Sequence, residues 1–210
     1  MRRDRGVDAR VEAVVFDIGN VLVRWDPRFL YEKLIADAQE RDWFLRAVVP
    51  LSWHTQHDRG RPFAESIRDR QAQFPEYAAL IEAFYERWDE TIAGPIQGSV
   101  GILEQLDEAG IPVFALSNYS AETFPAFRRR FAFARRFRDV VISGEEGLVK
   151  PDLRLYERAI GRFGVTPHLT VFVDDRPDNV SAAREVGLIG LQFTEPERLA
   201  ADLRALGLPV

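Results

Sequence analysis

The sequence has no cysteine, and its 210 residues include only one methionine and two lysines. Without cysteine, the protein cannot form a disulfide scaffold, a zinc–thiolate centre or a cysteine nucleophile. No uninterrupted apolar stretch approaches the roughly 18 residues that a membrane-spanning helix requires, so we expect no membrane partner. The formal net charge of -5 argues against nucleic acid as a partner.

A signal-peptide pattern is also missing from the first ten residues, MRRDRGVDAR. This segment is basic, but it lacks the apolar region that a secretory signal contains. We therefore expect a charged tail here and a cytoplasmic protein. Because 26 of the 28 basic residues are arginine, a loop lysine such as Lys150 is more notable in this chain than in most.

Apolar residues are plentiful, at 46% of the chain with 15 phenylalanines, so the sequence can bury a substantial core. Five short runs of β-branched and aromatic residues predict buried strands. These runs are continuously apolar, which indicates strands covered on both faces, as in a parallel sheet. The predicted strands cover residues 12–17, 112–116, 140–142, 170–173 and 189–193.

Helical patterns separate the later strands, and this alternation predicts a doubly wound, Rossmann-like α/β fold with a parallel sheet. Residues 26–95 depart from the alternation, because they contain helical patterns and no predicted strand. We interpret them as a helical cap inserted after the first strand, an arrangement that often forms a lid over an active site. The predicted division is a core of residues 11–24 and 96–210 and a cap of residues 25–95.

Polar side chains follow four of the predicted strands, at the sheet edge where ligands bind in open α/β folds. If the sheet is parallel, these groups meet at one place. They combine a carboxylate at a rigid strand end, small hydrogen-bond donors, one ammonium group and a pair of acids. In chain order they are Asp17 with Gly19 and Asn20, Ser117 with Asn118, Lys150, and Asp174 with Asp175.

This combination of groups suits phosphoryl transfer. Asp17 is a candidate nucleophile that would form an aspartyl phosphate. A carboxylate that approaches a phosphate dianion is repelled, and Mg²⁺ would offset that repulsion. Asp17, Asp175 and the nearby Asp174 could bind the ion, together with the main-chain oxygen of Gly19.

Two further groups complete the predicted site. Ser117 and the N–H groups of a helix predicted to start at Ser120 could hold phosphoryl oxygens, and Lys150 could neutralise the charge that develops. Taken singly, each of the four groups has an ordinary role as a turn, cap or loop residue. Their occurrence in order, each following a predicted strand, favours the catalytic interpretation.

The four segments that carry these groups read VVFDIGNVLV, FALSN, GLVKPD and VFVDDRPDN. With them, the chain resembles the haloacid dehalogenase superfamily of hydrolases over about residues 11–194, in the branch with a helical cap after the first strand. The form FDIGNVL with a later DD is similar to the sugar phosphatases that include glucose-1-phosphate phosphatase. The resemblance implies a nucleophile at Asp17, binding of the transferring group by Ser117 and Asn118, charge stabilisation by Lys150, and Mg²⁺ binding by Asp175 with Asp174.

The sequence departs from this family at Gly19, where most of its phosphatases have a second aspartate that protonates the leaving alcohol. A general acid contributes about 10²–10⁴-fold to a rate, so the departure matters. Three interpretations remain open. The leaving group or a cap residue supplies the proton, the leaving group is a halide that needs none, or the protein binds its ligand with little turnover.

The halide interpretation corresponds to the 2-haloacid dehalogenases of the superfamily, which use the same aspartate without a metal. Those enzymes also lack the second acid, but they have an aromatic residue at the position of Gly19 and small neutral residues in place of the acidic pair. Here Asp174 and Asp175 are both present, and adjacent carboxylates are unfavourable unless a cation joins them. We therefore favour a Mg²⁺-dependent phosphatase of a small phosphorylated metabolite, such as a sugar phosphate, acting as a monomer or homodimer.

The predicted cap contains the segment WHTQHDRG, residues 53–60, which we interpret as a short loop between helices. In the functional interpretation, His54 or Arg59 contacts the substrate, and Asn20 beside the first strand does so as well. In the competing interpretation, the segment is a surface turn in which Asp58 and Arg59 pair in solvent. Metal binding by the two histidines of this segment is a weaker hypothesis, since such pairs are common without a third ligand.

Overall fold

A computed structural model of the chain describes residues 10–210. The charged tail predicted for the first residues falls outside this part. Within the described residues, no helix is both long enough and apolar enough to cross a membrane.

Residues 10–210 contain seven strands. Five of them form a parallel sheet at the centre of the fold, and the other two form a separate antiparallel ribbon. The strands are β1 (Ala13–Phe16), β2 (Val23–Trp25), β3 (Ile92–Pro95), β4 (Val113–Ser117), β5 (Val140–Ile142), β6 (Thr170–Asp174) and β7 (Ile189–Gln192). The order in the parallel sheet is β5-β4-β1-β6-β7, so β1 is central. The predicted strands and the predicted α/β fold class are confirmed.

Successive residues of the central strand point into two hydrophobic cores, one on each face of the sheet. Val14 and Phe16 belong to one core, and Ala13 and Val15 belong to the other. Because both faces are buried, the strand needs apolar residues at every position, which is why a continuous apolar run identified it. The packing fixes the end of β1 and with it the position of the next residue, Asp17.

Helices cover both faces of the sheet and fill the segment between β2 and β3. They are α1 (Arg28–Tyr31), α2 (Ala38–Ala47), α3 (Leu51–Asp58), α4 (Phe63–Gln73), α5 (Ala78–Glu86), α6 (Gln97–Glu108), α7 (Phe124–Arg130), α8 (Ser143–Glu146), α9 (Leu153–Phe163), α10 (Pro177–Glu185) and α11 (Pro196–Ala205). The helix predicted from Ser120 begins only at Phe124. Ser120 Oγ instead accepts a hydrogen bond from the Glu122 N–H at 3.2 Å, a local turn that competes with helix formation.

The ribbon of β2 and β3 corrects the prediction that residues 26–95 contain no strand. Strand β3 pairs with β2 in antiparallel fashion, with Val23 opposite Pro95 and Arg24 opposite Gly94. The sequence of β3, IAGP, contains a glycine and a proline, which weaken strands and are typical of loops. The ribbon joins the two ends of the inserted helical segment beside the end of β1.

Helices α1 to α5 pack around a largely aromatic interior. Tyr31, Phe44, Trp53, Phe63 and Phe84 are all buried there. The Trp53 and Phe84 rings have centroids 5.3 Å apart in a T-shaped arrangement, and those of Tyr31 and Phe44 are 4.7 Å apart. Aromatic rings bury much surface per residue and favour defined relative orientations, so this packing orients the short helices, α3 included, relative to one another.

Candidate active site

The ends of three neighbouring strands bring together the groups predicted from the sequence. Asp17 follows the last residue of β1, Ser117 ends β4 and Asp174 ends β6. Ser117 Oγ donates a hydrogen bond to Asp17 Oδ1 at 2.8 Å, across 100 residues of sequence. The Asp17 N–H donates to the Val173 carbonyl at 2.8 Å, which fixes the main chain of Asp17 against β6.

Lys150 lies at the centre of this cluster, with its side chain 1% exposed. Its Nζ is 2.8 Å from Asp17 Oδ1 and 2.7 Å from Asp174 Oδ2, and it donates to the Leu116 carbonyl at 3.0 Å. An ammonium group has three N–H donors, so all three have a partner. Lys150 thereby sits at one fixed point between the two carboxylates.

The electrostatics of the cluster follow from its burial. Burial raises the pKa of Asp17 to about 6, against the opposing effect of Lys150 and with a further contribution from the charge of Asp174. Burial also disfavours the charged form of Lys150, but the carboxylates of Asp17 and Asp174 outweigh it, and the pKa of Lys150 is raised. Asp17 is therefore largely ionised at neutral pH and Lys150 is fully charged.

The acidic residues place three carboxylate groups close together, an arrangement that suits a divalent cation. Carboxylate oxygens of Asp17, Asp174 and Asp175 all lie within 4.8 Å of one another. Burial and the neighbouring charge of Asp174 raise the pKa of Asp175, against the opposing effect of Lys150. Three carboxyl groups lie beside a single ammonium group, so the cluster has more acidic groups than Lys150 can neutralise. Three hard oxygen donors with an excess of negative charge are the ligands that Mg²⁺ takes in proteins.

Asp174 and Asp175 differ in how free their oxygens are. Asp174 is fully buried, and besides Lys150 it accepts from the Arg176 N–H at 2.9 Å and from Asn179 Nδ2 at 3.0 Å on each oxygen. Asp175 is only partly buried and lines the adjacent cavity. Asp175 is thus the more available ligand for a cation, whereas Asp174 accepts the hydrogen bond that holds the Lys150 ammonium group.

Gly19 and Asn20 form the turn after Asp17. A Cβ atom added to Gly19 would meet no heavy atom within 4 Å, so there is space for a side chain at this position, where the sequence departs from the family that it resembles. Asn20 has a φ of 55°, a left-handed conformation that asparagine tolerates, and its Oδ1 accepts from the Trp25 N–H at 3.0 Å. Asn20 lines the cavity while its side-chain oxygen holds β2 in place.

Asn118 uses its side chain on the protein itself. Its Oδ1 accepts from the Lys150 N–H at 2.8 Å, and its Nδ2 donates to the Lys150 carbonyl at 3.1 Å. The residue also lines the cavity. The structure shows that the amide of Asn118 fixes the main chain that carries Lys150, and the predicted contact of Asn118 with the transferring group stays a prediction.

A cavity of about 290 Å³ separates this sheet edge from helix α3, which is near the lower end of the usual range for small-molecule sites. The segment predicted as the loop WHTQHDRG is in fact mostly this helix. The helix residues that line the cavity are Leu51, His54, Thr55 and Asp58. Their spacing of three and four residues places them on one face of the helix.

His54 packs against two tryptophan rings, whose own centroids are 6.2 Å apart. Its ring centroid is 5.0 Å from that of Trp25 and 5.2 Å from that of Trp88, with interplanar angles of 26° and 20°. Burial, with a contribution from His57, lowers the pKa of His54 to about 3, so the imidazole is neutral. His54 therefore offers the cavity an uncharged polar ring within an aromatic wall.

The other two candidates of this segment lie elsewhere. His57 is fully buried and stacks on Phe63 at a centroid distance of 3.9 Å, so it belongs to the hydrophobic interior. Arg59 caps the end of α3, is exposed and is not among the residues that line the cavity. The structure thus does not bring Arg59 to the predicted site.

Asp58 is the residue that the sequence interpretation missed. It is 5% exposed, lines the cavity and has a carboxyl oxygen, Oδ1, with no hydrogen-bond partner among the described residues. The alternative of a surface pair with Arg59 is wrong, because Asp58 faces inward. A helical interpretation of residues 51–58 would have placed Asp58 on the same face as His54 and could have found it.

A sequence model of the haloacid dehalogenase-like hydrolases matches residues 11–187. The chain belongs to this family, and the prediction that it is a hydrolase of the haloacid dehalogenase superfamily is confirmed. Among individual relatives, the chain is 28% identical over 196 residues to the sesquiterpene phosphatase astK of Aspergillus oryzae. That alignment covers 93% of this chain and 96% of the relative.

Solved structures of both phosphate-bound and dehalogenase members share the fold. A haloacid dehalogenase family enzyme from Bacteroides thetaiotaomicron, in complex with magnesium and inorganic phosphate, superposes with a TM-score of 0.70 at 19% identity over 88% of this chain and 94% of that one. The L-2-haloacid dehalogenase of Xanthobacter autotrophicus, with covalently bound chloropropionic acid, gives 0.62 at 18% identity over 95% and 85%. The fold alone therefore does not separate the two chemistries.

Proposed function

We propose that the protein is a Mg²⁺-dependent phosphatase of small phosphomonoesters that works through an aspartyl phosphate on Asp17. The observation that carries the proposal is the buried cluster of Asp17, Lys150, Asp174 and Asp175 beside a small cavity. An ionised carboxylate at a fixed strand end, next to one ammonium group and two further acids, matches what phosphoryl transfer requires.

Asp17 is the proposed nucleophile. Its pKa of about 6 leaves it ionised at neutral pH, and the hydrogen bonds to Oδ1 from Ser117 and Lys150 leave its other oxygen for attack on phosphorus. Lys150 is the proposed electrostatic catalyst, since it stays charged beside the position where negative charge develops. Ser117 orients Asp17 and is the proposed contact for a phosphoryl oxygen.

The proposed magnesium ligands are Asp17, Asp175 and the Gly19 carbonyl, with Asp174 in a supporting position. When bound, the ion supplies positive charge that offsets the repulsion between the Asp17 carboxylate and the phosphate dianion. The residues of the chain account for the remaining requirements: Lys150 neutralises charge, and the packed strand ends hold the carboxylates close together before substrate arrives.

The substrate's leaving group would lie against the inserted helices. We propose that residues 25–95 act as the cap of a core formed by residues 11–24 and 96–210, with the β2–β3 ribbon as the connection. Trp25, His54 and Trp88 line the cavity and offer flat faces to a ring-shaped or apolar group. Asn20 and Asn118 are polar residues of the same cavity. A sugar phosphate is one candidate within this class, and a cytoplasmic location remains a prediction of the sequence.

The acidic residues also favour this proposal over a metal-free dehalogenase. A dehalogenase needs a nucleophilic aspartate and a cation, both of which are present, but it has no use for two further carboxylates. Asp175 in particular raises the electrostatic cost of the site unless a cation joins it, and it lines the cavity beside Asp17.

A direct assay tests the proposal. Phosphate release from p-nitrophenyl phosphate and a panel of sugar phosphates is measured with Mg²⁺ and with EDTA, beside halide release from chloroacetate. We expect phosphate release that requires Mg²⁺ and falls by about 10³-fold or more in Asp17→Asn. The matched control is Asp107→Asn on α6, away from the cavity. Halide release that is indifferent to EDTA, or no release of either product by folded protein, contradicts the proposal.

A further inference from the structure

The phosphatase proposed above needs a proton for its leaving group, and the usual donor position is Gly19, which has no side chain. Phosphoryl transfer to Asp17 releases an alkoxide, a strong base that leaves slowly unless it is protonated. Asp17 cannot donate this proton, because it must be ionised to attack. Lys150 is committed to Asp17, Asp174 and the Leu116 carbonyl.

Two acids besides Asp17 line the cavity, Asp58 and Asp175. Asp175 is a proposed magnesium ligand and must be ionised to bind the ion, which leaves Asp58 as the candidate proton donor. It lies on α3, opposite the strand ends that carry Asp17 and Ser117, and all three residues line the same cavity. Asp58 Oδ2 is 3.5 Å from His54 Nε2, too long for a strong hydrogen bond, and Oδ1 has no partner among residues 10–210. A buried carboxyl group with a free oxygen has the capacity to hold a proton and to donate it.

The main chain of Asp58 is fixed to the core by an independent contact. Ser143 Oγ, at the start of α8, donates to the Asp58 carbonyl at 2.6 Å, and the same hydroxyl accepts from the Tyr119 N–H at 3.0 Å. Close packing reinforces this attachment, since a Cβ added to Gly60 would come within 2.8 Å of the Gly144 carbonyl. The core therefore sets the position of the end of α3, as preorganised catalysis requires.

On the basis of the proposed function, we infer that Asp58 is the general acid that protonates the leaving oxygen, from the cap side of the cavity, in place of the aspartate missing at Gly19. As the bond from Asp17 to phosphorus forms, the bond from phosphorus to the ester oxygen breaks. The electron pair of that bond stays on the ester oxygen, which takes the proton of Asp58. The products are an alcohol, the aspartyl phosphate and the Asp58 carboxylate.

The second half-reaction restores the acid. Water attacks the aspartyl phosphate, its hydroxyl goes to phosphorus, and its proton goes to the Asp58 carboxylate. Inorganic phosphate leaves and the Asp17 carboxylate is free again, so atoms and charges balance over the cycle. The same group serves as acid and then as base, as microscopic reversibility allows.

The electrostatics of the site support this role. Burial raises the pKa of Asp58 to about 7, the charge of Asp17 adds to the effect, and Lys150 opposes it. His54, whose Nε2 lies 3.5 Å from Asp58 Oδ2, is neutral. Burial also raises the pKa of Tyr119, another residue of the cavity wall, so its phenol stays uncharged. A carboxyl group with a pKa near 7 is substantially protonated at neutral pH and still exchanges its proton readily, which is the optimum for a general acid.

The test compares substrates whose leaving groups differ in their need for a proton. p-Nitrophenolate is a weak base and leaves without protonation. The ethoxide released from ethyl phosphate is a strong base and needs a proton to leave. We expect Asp58→Asn to lower kcat/KM for ethyl phosphate by about 10²–10⁴-fold and to leave kcat/KM for p-nitrophenyl phosphate nearly unchanged. The ratio kcat/KM is the proper quantity, because it reports the steps up to leaving-group departure and excludes hydrolysis of the aspartyl phosphate.

Two further variants serve as controls. Asp58→Glu keeps the carboxyl group and is expected to recover part of the ethyl phosphate activity, whereas Glu82→Gln, a carboxyl-to-amide change at an exposed position of α5, is expected to leave both substrates unaffected. Circular dichroism and the unfolding midpoint establish that each variant is folded.

The outcomes are distinct. An equal loss of kcat/KM for both substrates in folded Asp58→Asn means that Asp58 only supports binding or structure. No loss of kcat/KM for either substrate means that Asp58 takes no part in the reaction. Each of these results overturns the inference while the proposed function stands. Wild-type protein that releases no phosphate from p-nitrophenyl phosphate overturns the proposed function, and the inference with it.

Discussion

The side chain of Asn118 holds the main chain of Lys150 from both directions, accepting from its N–H at 2.8 Å and donating to its carbonyl at 3.1 Å. This pair of hydrogen bonds connects the end of β4 to the loop before α9. It fixes the base of the only side chain in the described site that brings positive charge to both Asp17 and Asp174. The position of the ammonium group therefore depends on an amide that need not touch the substrate.

A substitution of Asn118 separates positioning of Lys150 from direct binding of substrate. Asn118→Ala removes both bonds, and we expect the free energy of unfolding to fall by about 1–3 kcal/mol, since the partly buried N–H and carbonyl of Lys150 lose their partner. Because the displaced ammonium stabilises charge that develops during reaction, kcat should fall while KM changes little. Steady-state kinetics with p-nitrophenyl phosphate measure this division. A raised KM with unchanged kcat would instead identify a direct contact with the substrate.

The two lysines of the chain form a matched pair for testing the buried cluster. Lys150→Met leaves the carboxylates of Asp17 and Asp174 buried without their cation, and we expect the free energy of unfolding in EDTA to fall by about 3–5 kcal/mol. Lys33→Met removes a solvent-exposed pair with Glu90 and should lower the free energy of unfolding far less, because exposed ion pairs contribute little to stability. Urea denaturation of both variants checks the difference.

Added Mg²⁺ provides a second measurement on the same variants. A cation that binds the folded acidic cluster stabilises the protein by mass action, and in Lys150→Met it also relieves repulsion that the ammonium otherwise offsets. We therefore expect Mg²⁺ to recover more stability in Lys150→Met than in Lys33→Met. Equal responses of the two variants would argue against Asp17 and Asp175 as magnesium ligands.

The pKa shifts of Asp58 and His54 predict opposite dependences of the free energy of unfolding on pH. The folded pKa of Asp58 is raised to about 7 from its ordinary value of 3.8, so its contribution to stability is present below pH 3.8 and is lost as pH rises through 7. The folded pKa of His54 is lowered to about 3 from 6.5, so it costs no stability above pH 6.5 and destabilises the protein as pH falls below that value.

The Asp58 effect can be isolated by substitution. Asp58→Asn has no carboxyl group to ionise, and we expect it to be more stable relative to wild type at pH 8 than at pH 4.5, by about 2–4 kcal/mol. Urea denaturation at the two pH values, in EDTA, measures the difference. Asp69→Asn, on the exposed part of α4, is the control and should show no such change. A pH-independent difference between Asp58→Asn and wild type would show that Asp58 is ionised without penalty.

Two glycines near the site differ in the space around them. A Cβ added to Gly144 would lie 2.6 Å from the Ala121 nitrogen and 2.8 Å from the Tyr119 carbonyl, whereas one added to Gly19 meets nothing within 4 Å. Because backbone atoms cannot move aside easily, we expect Gly144→Ala to lower the free energy of unfolding by about 1–3 kcal/mol. Gly19→Ala should change it by less than about 1 kcal/mol. Thermal unfolding of the two variants tests this contrast.

Gly144 also links stability to the proposed general acid. It lies beside Ser143, whose hydroxyl holds the Asp58 carbonyl. A shift of α8 away from Tyr119 would move the end of α3, so Gly144→Ala should lower kcat/KM for ethyl phosphate more than for p-nitrophenyl phosphate. A variant that loses stability but keeps the wild-type ratio of these two values would show that Asp58 does not depend on this contact.

The sequence by itself determined the fold and the part of the site that lies at the carboxyl ends of the parallel strands. Strands buried on both faces need apolar residues throughout, and that pattern identified the five strands of the central sheet. Parallel strands end at one edge, so the residues at or directly after their ends lie close together there. Asp17, Ser117 and Asp174 were found in this way. Lys150 was found from the loop after β5, but its exact position depends on the hydrogen bonds from Asn118. The short ribbon strand β3 was missed, because glycine and proline in IAGP conceal an element that depends on its partner β2.

Only the tertiary structure decided the part of the site that lies on α3. Whether Asp58 is a solvated surface charge or a buried acid depends on α3 being a helix and on how Ser143 and the aromatic interior orient it. Burial and the charge of Asp17 raise its pKa, and both arise from residues that are distant in sequence. Likewise, the sequence predicted that Asn118 binds substrate, and only the structure shows that its side chain also holds the main chain of Lys150. Local sequence fixes which groups are available, but desolvation and pairing are properties of the assembled fold.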